Sequence, residues 1–469
     1  MIALGLALSG CKQDGAPAAG SETVNRSSKQ DRLDVTLRRI DVPAKVAVEG
    51  ALAPSSLQPT VAPAAPPPSA SSRLPTAFFS ALGEHEKGAR QRPVTVLHLG
   101  DGIAAAGGLG TALAEQLQRR FGDAGPGLLA PPGSYPRQRQ PGLRMTRAGP
   151  WRTSSVDTPA TVVGLSGFRA DAERAEATMT VEVTGPVFDW AEITFLTGPG
   201  QGTASIAVDQ AKGTASTRTL EAKVVRVRVP VKGRRLTLGP KGDGPIAVLG
   251  VELGRGERGI RYATLGRPAA TPAALLRMDK VALANELAHM RPELIVLSYG
   301  TQASLDDRLD VAAYAASLKA AVGRLRSLAP QASVLVIGPA NVAKLPAHAG
   351  SHVRDAPATA CQPLSAAERA GYQALLKAAD PRLARWHEPV RHAPLNRALA
   401  TVAHETGAMY WDWSRWMGGA CGIQAWVHAK EPLARRDHAT LTSAGYERTA
   451  REIYRLLLDG YARRGAAQR

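Results

Sequence analysis

Three stretches of this chain are almost wholly apolar and too short for anything but strands: Val94-Thr-Val-Leu-His-Leu99, Leu294-Ile-Val-Leu-Ser-Tyr299 and Ser333-Val-Leu-Val-Ile-Gly338. A strand with one wet face alternates apolar and polar residues. These do not, so both faces must be covered, as in a parallel sheet flanked by helices. The intervening segments supply the cover. An amphipathic stretch from Ala77 carries Phe78, Phe79 and Leu82, and a second places Leu109, Leu113, Leu117 and Phe121 on one helical face. Further helices are expected near Leu275 to Met290 and over Val311 to Leu328. The alternation predicts an α/β fold, a three-layer, flavodoxin-like doubly wound domain.

From about Val156 to Leu253 the period changes to two, in runs such as Thr178-Met-Thr-Val-Glu-Val183, Val224-Val-Arg-Val-Arg-Val229 and Leu236-Thr-Leu238. Glycine and proline turns separate them, which reads as an all-β sandwich. The expected organisation is an α/β domain in two parts, 76–155 and 261–465, interrupted by an inserted β-sandwich over 156–260. At 469 residues, with 44% hydrophobic and 21% charged side chains, the chain is long enough for this core and is not disordered as a whole.

The formal net charge of +18 favours polyanions such as nucleic acid, anionic lipid or an acidic polysaccharide. Nucleic acid is not expected as a partner, because the chain has no zinc-finger spacing, no arginine-rich helix with interleaved aromatics and no RNA-binding aromatic signature. Met1 to Gly10 is nearly all apolar and leads into Leu8-Ser9-Gly10-Cys11, which resembles a bacterial lipobox. That resemblance implies a signal over 1–11, lipidation at Cys11 and tethering to the periplasmic face or cell surface of a bacterial membrane. A run of this length is too short to span a bilayer, for which about 20 residues are needed. From Lys12 to Pro75 the composition is rich in Ala, Pro, Ser and Gln, with eight prolines from Pro43 onward, and a stalk is expected over 12–75. In an exported protein the remaining cysteines, Cys361 and Cys421, are expected to pair in a disulfide, the alternative being two buried free thiols.

The first apolar strand ends in Gly100-Asp101-Gly102, at the carboxyl edge where an open α/β sheet places its ligands. Together with Leu294 to Gln302 and the late run Asp437-His438-Ala439-Thr440-Leu441-Thr442-Ser443-Ala444-Gly445-Tyr446, this resembles the SGNH/GDSL hydrolase family. The resemblance is to bacterial lipoprotein members related to peptidoglycan or polysaccharide O-acetyl esterases, which carry an inserted jelly roll like a carbohydrate-binding module. Phe121-Gly-Asp-Ala-Gly-Pro-Gly127, Trp151-Arg152 and Trp411-Asp412-Trp413 also fit, so the match runs over roughly 77–465.

What the resemblance implies about chemistry is mostly loss. In the family a serine after Gly-Asp attacks the ester, a glycine amide and an Asn side chain hold the oxyanion, and a histidine three residues after an aspartate takes the proton. The nucleophile falls on Gly102, which has no side chain. The second block reads Gly266-Arg267-Pro268-Ala269, placing Ala269 at the oxyanion glycine beside a proline that lacks an N–H. The Asn falls on Gln302, one methylene longer, and the base on Thr440, whose hydroxyl does not titrate near neutrality. Asp437 alone is retained. Ser298 as a displaced nucleophile, His438 as a displaced base and His98 as a metal ligand are weaker readings. The alternatives are a buried hydroxyl bonded to nearby backbone for Ser298 and a core imidazole for His98. No metal or cofactor is expected.

Three functions compete. The first is an inactive, SGNH-like envelope lipoprotein binding a cell-envelope polysaccharide or peptidoglycan. Its contacts would come from the β insert, from the cleft at Asp101, Gly102, Gly300, Gln302, Asp437 and Thr440, or from both. Trp190, Trp411, Trp413, Trp416 and Trp426 are either sugar platforms or core. The second is an interaction subunit for an active paralogue, an esterase or acyltransferase. The third is an active O-acyl esterase with relocated residues.

Overall fold

The structure, a computed structural model, describes residues 36–38, 74–136, 138–350 and 360–467. Cys11 and most of the expected stalk lie outside the described residues. Within that stretch Thr36–Arg38 forms a short strand antiparallel to Lys223–Val229.

A five-stranded parallel sheet organises one domain: β1 (Val94–Gly100), β2 (Ile260–Gly266), β3 (Leu294–Ser298), β4 (Ser333–Ile337) and β5 (Met409–Trp411). The order is β2-β1-β3-β4-β5, and every pairing is parallel. The strands are buried on both faces, which explains their continuous apolar runs. Val94, Val96, Leu294 and Val296 pack with Phe78, Leu113, Leu117 and Leu457 on one side. Leu97, Leu99, Ile295 and Leu297 pack with Leu318, Val322, Leu399 and Val402 on the other. Helix Val311–Leu328 begins where expected because Asp310 caps it, accepting from Ala313 N. The helix expected over Leu275 to Met290 is two helices, Ala273–Arg277 and Lys280–Met290. Asp279 breaks the run by capping the second, accepting from Ala282 N at 2.8 Å.

The second domain is a β-sandwich. One sheet runs Ala211–Ser216, Thr203–Val208, Arg235–Pro240, Thr178–Val183, Leu143–Ala148, all antiparallel. The facing sheet is built around Trp190–Thr197 and Ile246–Gly254, flanked by Lys223–Val229 and Phe168–Ala172. Met179, Val181, Ile193, Phe195, Ile206, Leu236, Leu238, Val248 and Val251 fill the space between.

The insert therefore starts earlier than residue 156. Gly127–Leu129, Leu143–Ala148 and Arg152–Ser155 all pair with sandwich strands. Leu143–Ala148 does alternate, with Leu143, Met145 and Arg147 turned inward. The inward arginine hides the pattern; it is satisfied by a 2.6 Å bond from Nη1 to Thr153 Oγ1. At the other end β2 belongs to the parallel sheet, so the chain returns to the α/β domain at Ile260.

Candidate functional site

At the carboxyl ends of β1 and β3 the turns Gly100-Asp101-Gly102 and Gly300-Thr301-Gln302 are tied together by one carboxylate. Asp101 Oδ1 accepts from Ile103 N at 3.1 Å, capping the short helix Gly102–Ala105. Its Oδ2 accepts from Gly300 N at 3.1 Å and Gln302 N at 3.5 Å. Gly300 has φ +108°, a conformation that glycine adopts without strain. Burial pushes the Asp101 carboxyl up to about 6, against the pull of these backbone N–H groups.

Gln302 fills the space above Gly102. Its Oε1 accepts from Gly102 N at 3.0 Å and from Ala269 N at 2.9 Å. A Cβ at position 102 would lie 2.6 Å from Oε1 and 2.7 Å from both Cδ and Nε2. Two backbone N–H groups converging on one oxygen are the arrangement that holds an oxyanion in acyl transfer. Here the oxygen they hold belongs to the chain. This corrects two expectations. Pro268 removes one donor, but the next amide, of Ala269, supplies one, with Ala269 held at φ +57°. The extra methylene of Gln302 does not misplace a donating amide; it lets the side chain fold in and present its carbonyl oxygen instead.

Tyr446 of the late block packs on the helix Gly108–Phe121 that follows this turn. The Tyr446 ring lies 2.4 Å from where a Gly108 Cβ would be. Burial pushes its hydroxyl up to about 12, with the charges of Asp101 and Asp437 adding to the shift. Asp437 Oδ1 accepts from Ala439 N at 3.0 Å and Thr440 N at 2.8 Å, so it is committed to its own turn. Burial would raise the Asp437 carboxyl, but the Thr440 amide and hydroxyl and the Ala439 amide outweigh it and hold the carboxyl below its usual range.

His438 does not serve as a displaced base. The segment is a turn rather than an extended strand, with His438 at φ +53°, and this directs the ring into the core. The ring stacks on Trp386 with centroids 3.9 Å apart. Nδ1 meets the Arg436 carbonyl and Nε2 the Gln424 side-chain oxygen, both at 2.9 Å. Burial lowers its pKa.

Ser298 and His98 do meet, with Oγ 2.8 Å from Nε2, so the serine is bonded to an imidazole and not to neighbouring backbone. His98 Nδ1 meets the Tyr262 hydroxyl at 3.2 Å. Among the described residues no carboxylate orients the ring, burial lowers its pKa to about 4, and His98 and Ser298 are 0% and 5% exposed. A substrate carbonyl has no access to that oxygen.

Sequence reasoning missed one cluster. Glu192 and Glu252 stand directly opposite on neighbouring strands, and His289 Nε2 reaches them at 2.7 and 3.6 Å from helix Lys280–Met290. Among the described residues this is the group with metal-ligating geometry. Arg226 and Arg228 lie 3.9 and 4.0 Å from Glu192, and Arg261 3.3 Å from Glu252, so guanidinium groups already balance the carboxylates. The signal was there as glutamates on the outer face of strands that are buried on both faces.

The tryptophans are mostly core. Trp190 is buried between Arg228 and Arg261, whose guanidinium carbons lie 3.5 and 4.8 Å from its ring centroid. Trp411, Trp413 and Trp426 are buried, and Trp416 is partly buried and packed against Trp411 and Trp426. Cys361 and Cys421 form a disulfide with Cα atoms 5.5 Å apart, tying the segment after the undescribed 351–359 to this cluster. Among the described residues no helix is long and apolar enough to cross a membrane.

No family model and no curated protein matches the chain. Among solved structures it is similar to a peptidoglycan O-acetylesterase, at 20% identity and a TM-score of 0.64, covering 82% of this chain and 96% of that one. A family two carbohydrate esterase from Cellvibrio japonicus is matched at 11% identity and a TM-score of 0.16, over 56% of this chain and 99% of that one. At such identity the likeness to the O-acetylesterase is one of fold, and the chain has an α/β esterase-like fold with an additional β domain.

Proposed function

We propose that this protein is a catalytically inactive, SGNH-like envelope protein, tethered through Cys11, that binds a cell-envelope glycan in its vestigial cleft. One observation carries the reading: the Gln302 carboxamide stands where a nucleophile's Cβ would be, with its oxygen on the Gly102 and Ala269 N–H groups. Hydrolysis of an ester needs a nucleophile, a base and a vacant oxyanion position. The cleft offers Gly102, Thr440 and an occupied one.

Support for a glycan over a protein partner comes from the surface. Among the described residues the large, well-exposed apolar side chains are Leu220 and Val281, on different domains, which is not the contiguous patch of a docking face. Support for the cleft over the insert comes from the outer sheet face. Thr146, Thr180 and Thr237 line up across its strands beside Ala148, Ser205 and Thr214, with no aromatic ring for a sugar to stack on. Peptidoglycan is the first polymer to try, because the O-acetylesterase that shares the fold is named for it.

The test is co-sedimentation of the purified full chain with insoluble peptidoglycan. Wild type is expected in the pellet, and Gln302→Trp, which puts a bulky ring over Gly102, in the supernatant. A wild type that stays in solution, or a variant that pellets equally well, contradicts binding in the cleft.

A further inference from the structure

The state of the oxyanion position also bears on which glycan the cleft accepts. An O-acetyl group presented to this cleft needs somewhere to put its carbonyl oxygen, and the convergent N–H pair of Gly102 and Ala269 is the place built for one. Gln302 Oε1 holds both N–H groups, at 3.0 and 2.9 Å. The Gln302 Cδ and Nε2 take up the volume just outside, where the acyl carbon would lie, each 2.7 Å from the position of a Cβ on Gly102.

The backbone beneath is fixed. Asp101 Oδ2 accepts from the amides of Gly300 and Gln302, and Ser304 N donates to Gly300 O at 2.9 Å. Admission of an acetyl group therefore requires the Gln302 side chain to swing out while its main chain stays. The exchange is unfavourable on chemical grounds, because an ester carbonyl is a weaker acceptor than the amide carbonyl it would displace. It also gives up an intramolecular contact for an intermolecular one.

A bare hydroxyl makes no such demand. It can accept from the Gln302 carboxamide as it stands, without displacing that side chain. Gln302 Nε2 has N–H bonds to give, at the exposed end of the side chain that covers Gly102.

We infer that the cleft selects glycan whose hydroxyl at this point carries no ester, so that the protein distinguishes unmodified from O-acetylated polymer. The inference rests on the proposed glycan-binding reading and goes further, naming the chemical state of the ligand. Gln302 is the residue that sets the preference.

The experiment uses one peptidoglycan preparation in two forms, O-acetylated and de-O-acetylated by mild base, titrated against the full-length protein. Wild type is expected to bind the base-treated form about tenfold or more tighter, the worth of roughly one hydrogen bond exchanged at a loss. Gln302→Ala opens the slot and is expected to remove the difference by gaining affinity for the acetylated form. Gln302→Glu keeps an oxygen on the two N–H groups and is expected to retain the preference, which guards against a folding defect in the alanine variant. Equal affinity of wild type for both forms, tighter binding to the acetylated one, or an unchanged preference in a folded Gln302→Ala overturns the inference while leaving glycan binding intact. Failure to bind either form removes the glycan reading itself.

Discussion

A serine at position 102 would put its Cβ 2.6 Å from Gln302 Oε1, so a side chain there and the folded-in Gln302 carboxamide exclude one another. Gly102→Ser is expected to lower stability by about 1 kcal/mol, because the exposed Gln302 side chain must leave its two amide donors to make room, read from urea midpoints at constant slope. Adding Gln302→Ala, which gives up the same two bonds, should cost little more. Costs that simply add in the double variant would contradict the contact. Gly102 and Thr440 could be read directly from the sequence, because what matters there is a missing functional group. The Gln302 side chain could not, since one added methylene allows the amide either to fall short of the oxyanion position or to fold into it with its oxygen foremost. His438 was illegible for a different reason: the positive φ that sends its ring to Trp386 is a property of the turn and not of the residue.

At the scale of elements, the parallel strands were legible because burial on both faces leaves a continuous apolar run. The same burial makes them costly to thin. Leu297, fully buried among Leu318, Val322 and Leu399, is expected to lose about 3 kcal/mol on Leu297→Ala, and a change below about 1 kcal/mol would argue against its place in the core. The edge of the insert was less legible. Arg144 and Arg147 alternate outward and inward along Leu143–Ala148, and an inward arginine satisfied by Thr153 looks like a surface strand or a loop when only composition is available. The Cys361–Cys421 link, 60 residues apart in sequence, is expected to contribute roughly 2–4 kcal/mol. A Cys421→Ser variant that melts at the wild-type temperature would show that it does not.

Across the whole molecule, the sandwich is held to the α/β domain by charge as well as by packing, through Glu192, Glu252 and His289 with Arg226, Arg228 and Arg261 around them. Burial pulls the His289 pKa down, but its bonds to the two glutamates prevail and raise it from 6.5 to about 9. A raised pKa means the folded state holds the proton more tightly. The stabilisation is complete below pH 6.5 and is lost as pH rises through about 9, and His289→Gln should flatten the decline in melting temperature over that window. A parallel decline in the variant would locate the titrating group elsewhere. The central claim is that this cleft has the fold of an ester-cleaving site without its chemistry. The measurement that tests it most directly is acetate released from O-acetylated peptidoglycan by stoichiometric purified protein. The result expected is release no greater than the protein-free blank, in wild type and in Ser298→Ala alike. Turnover by wild type would contradict it.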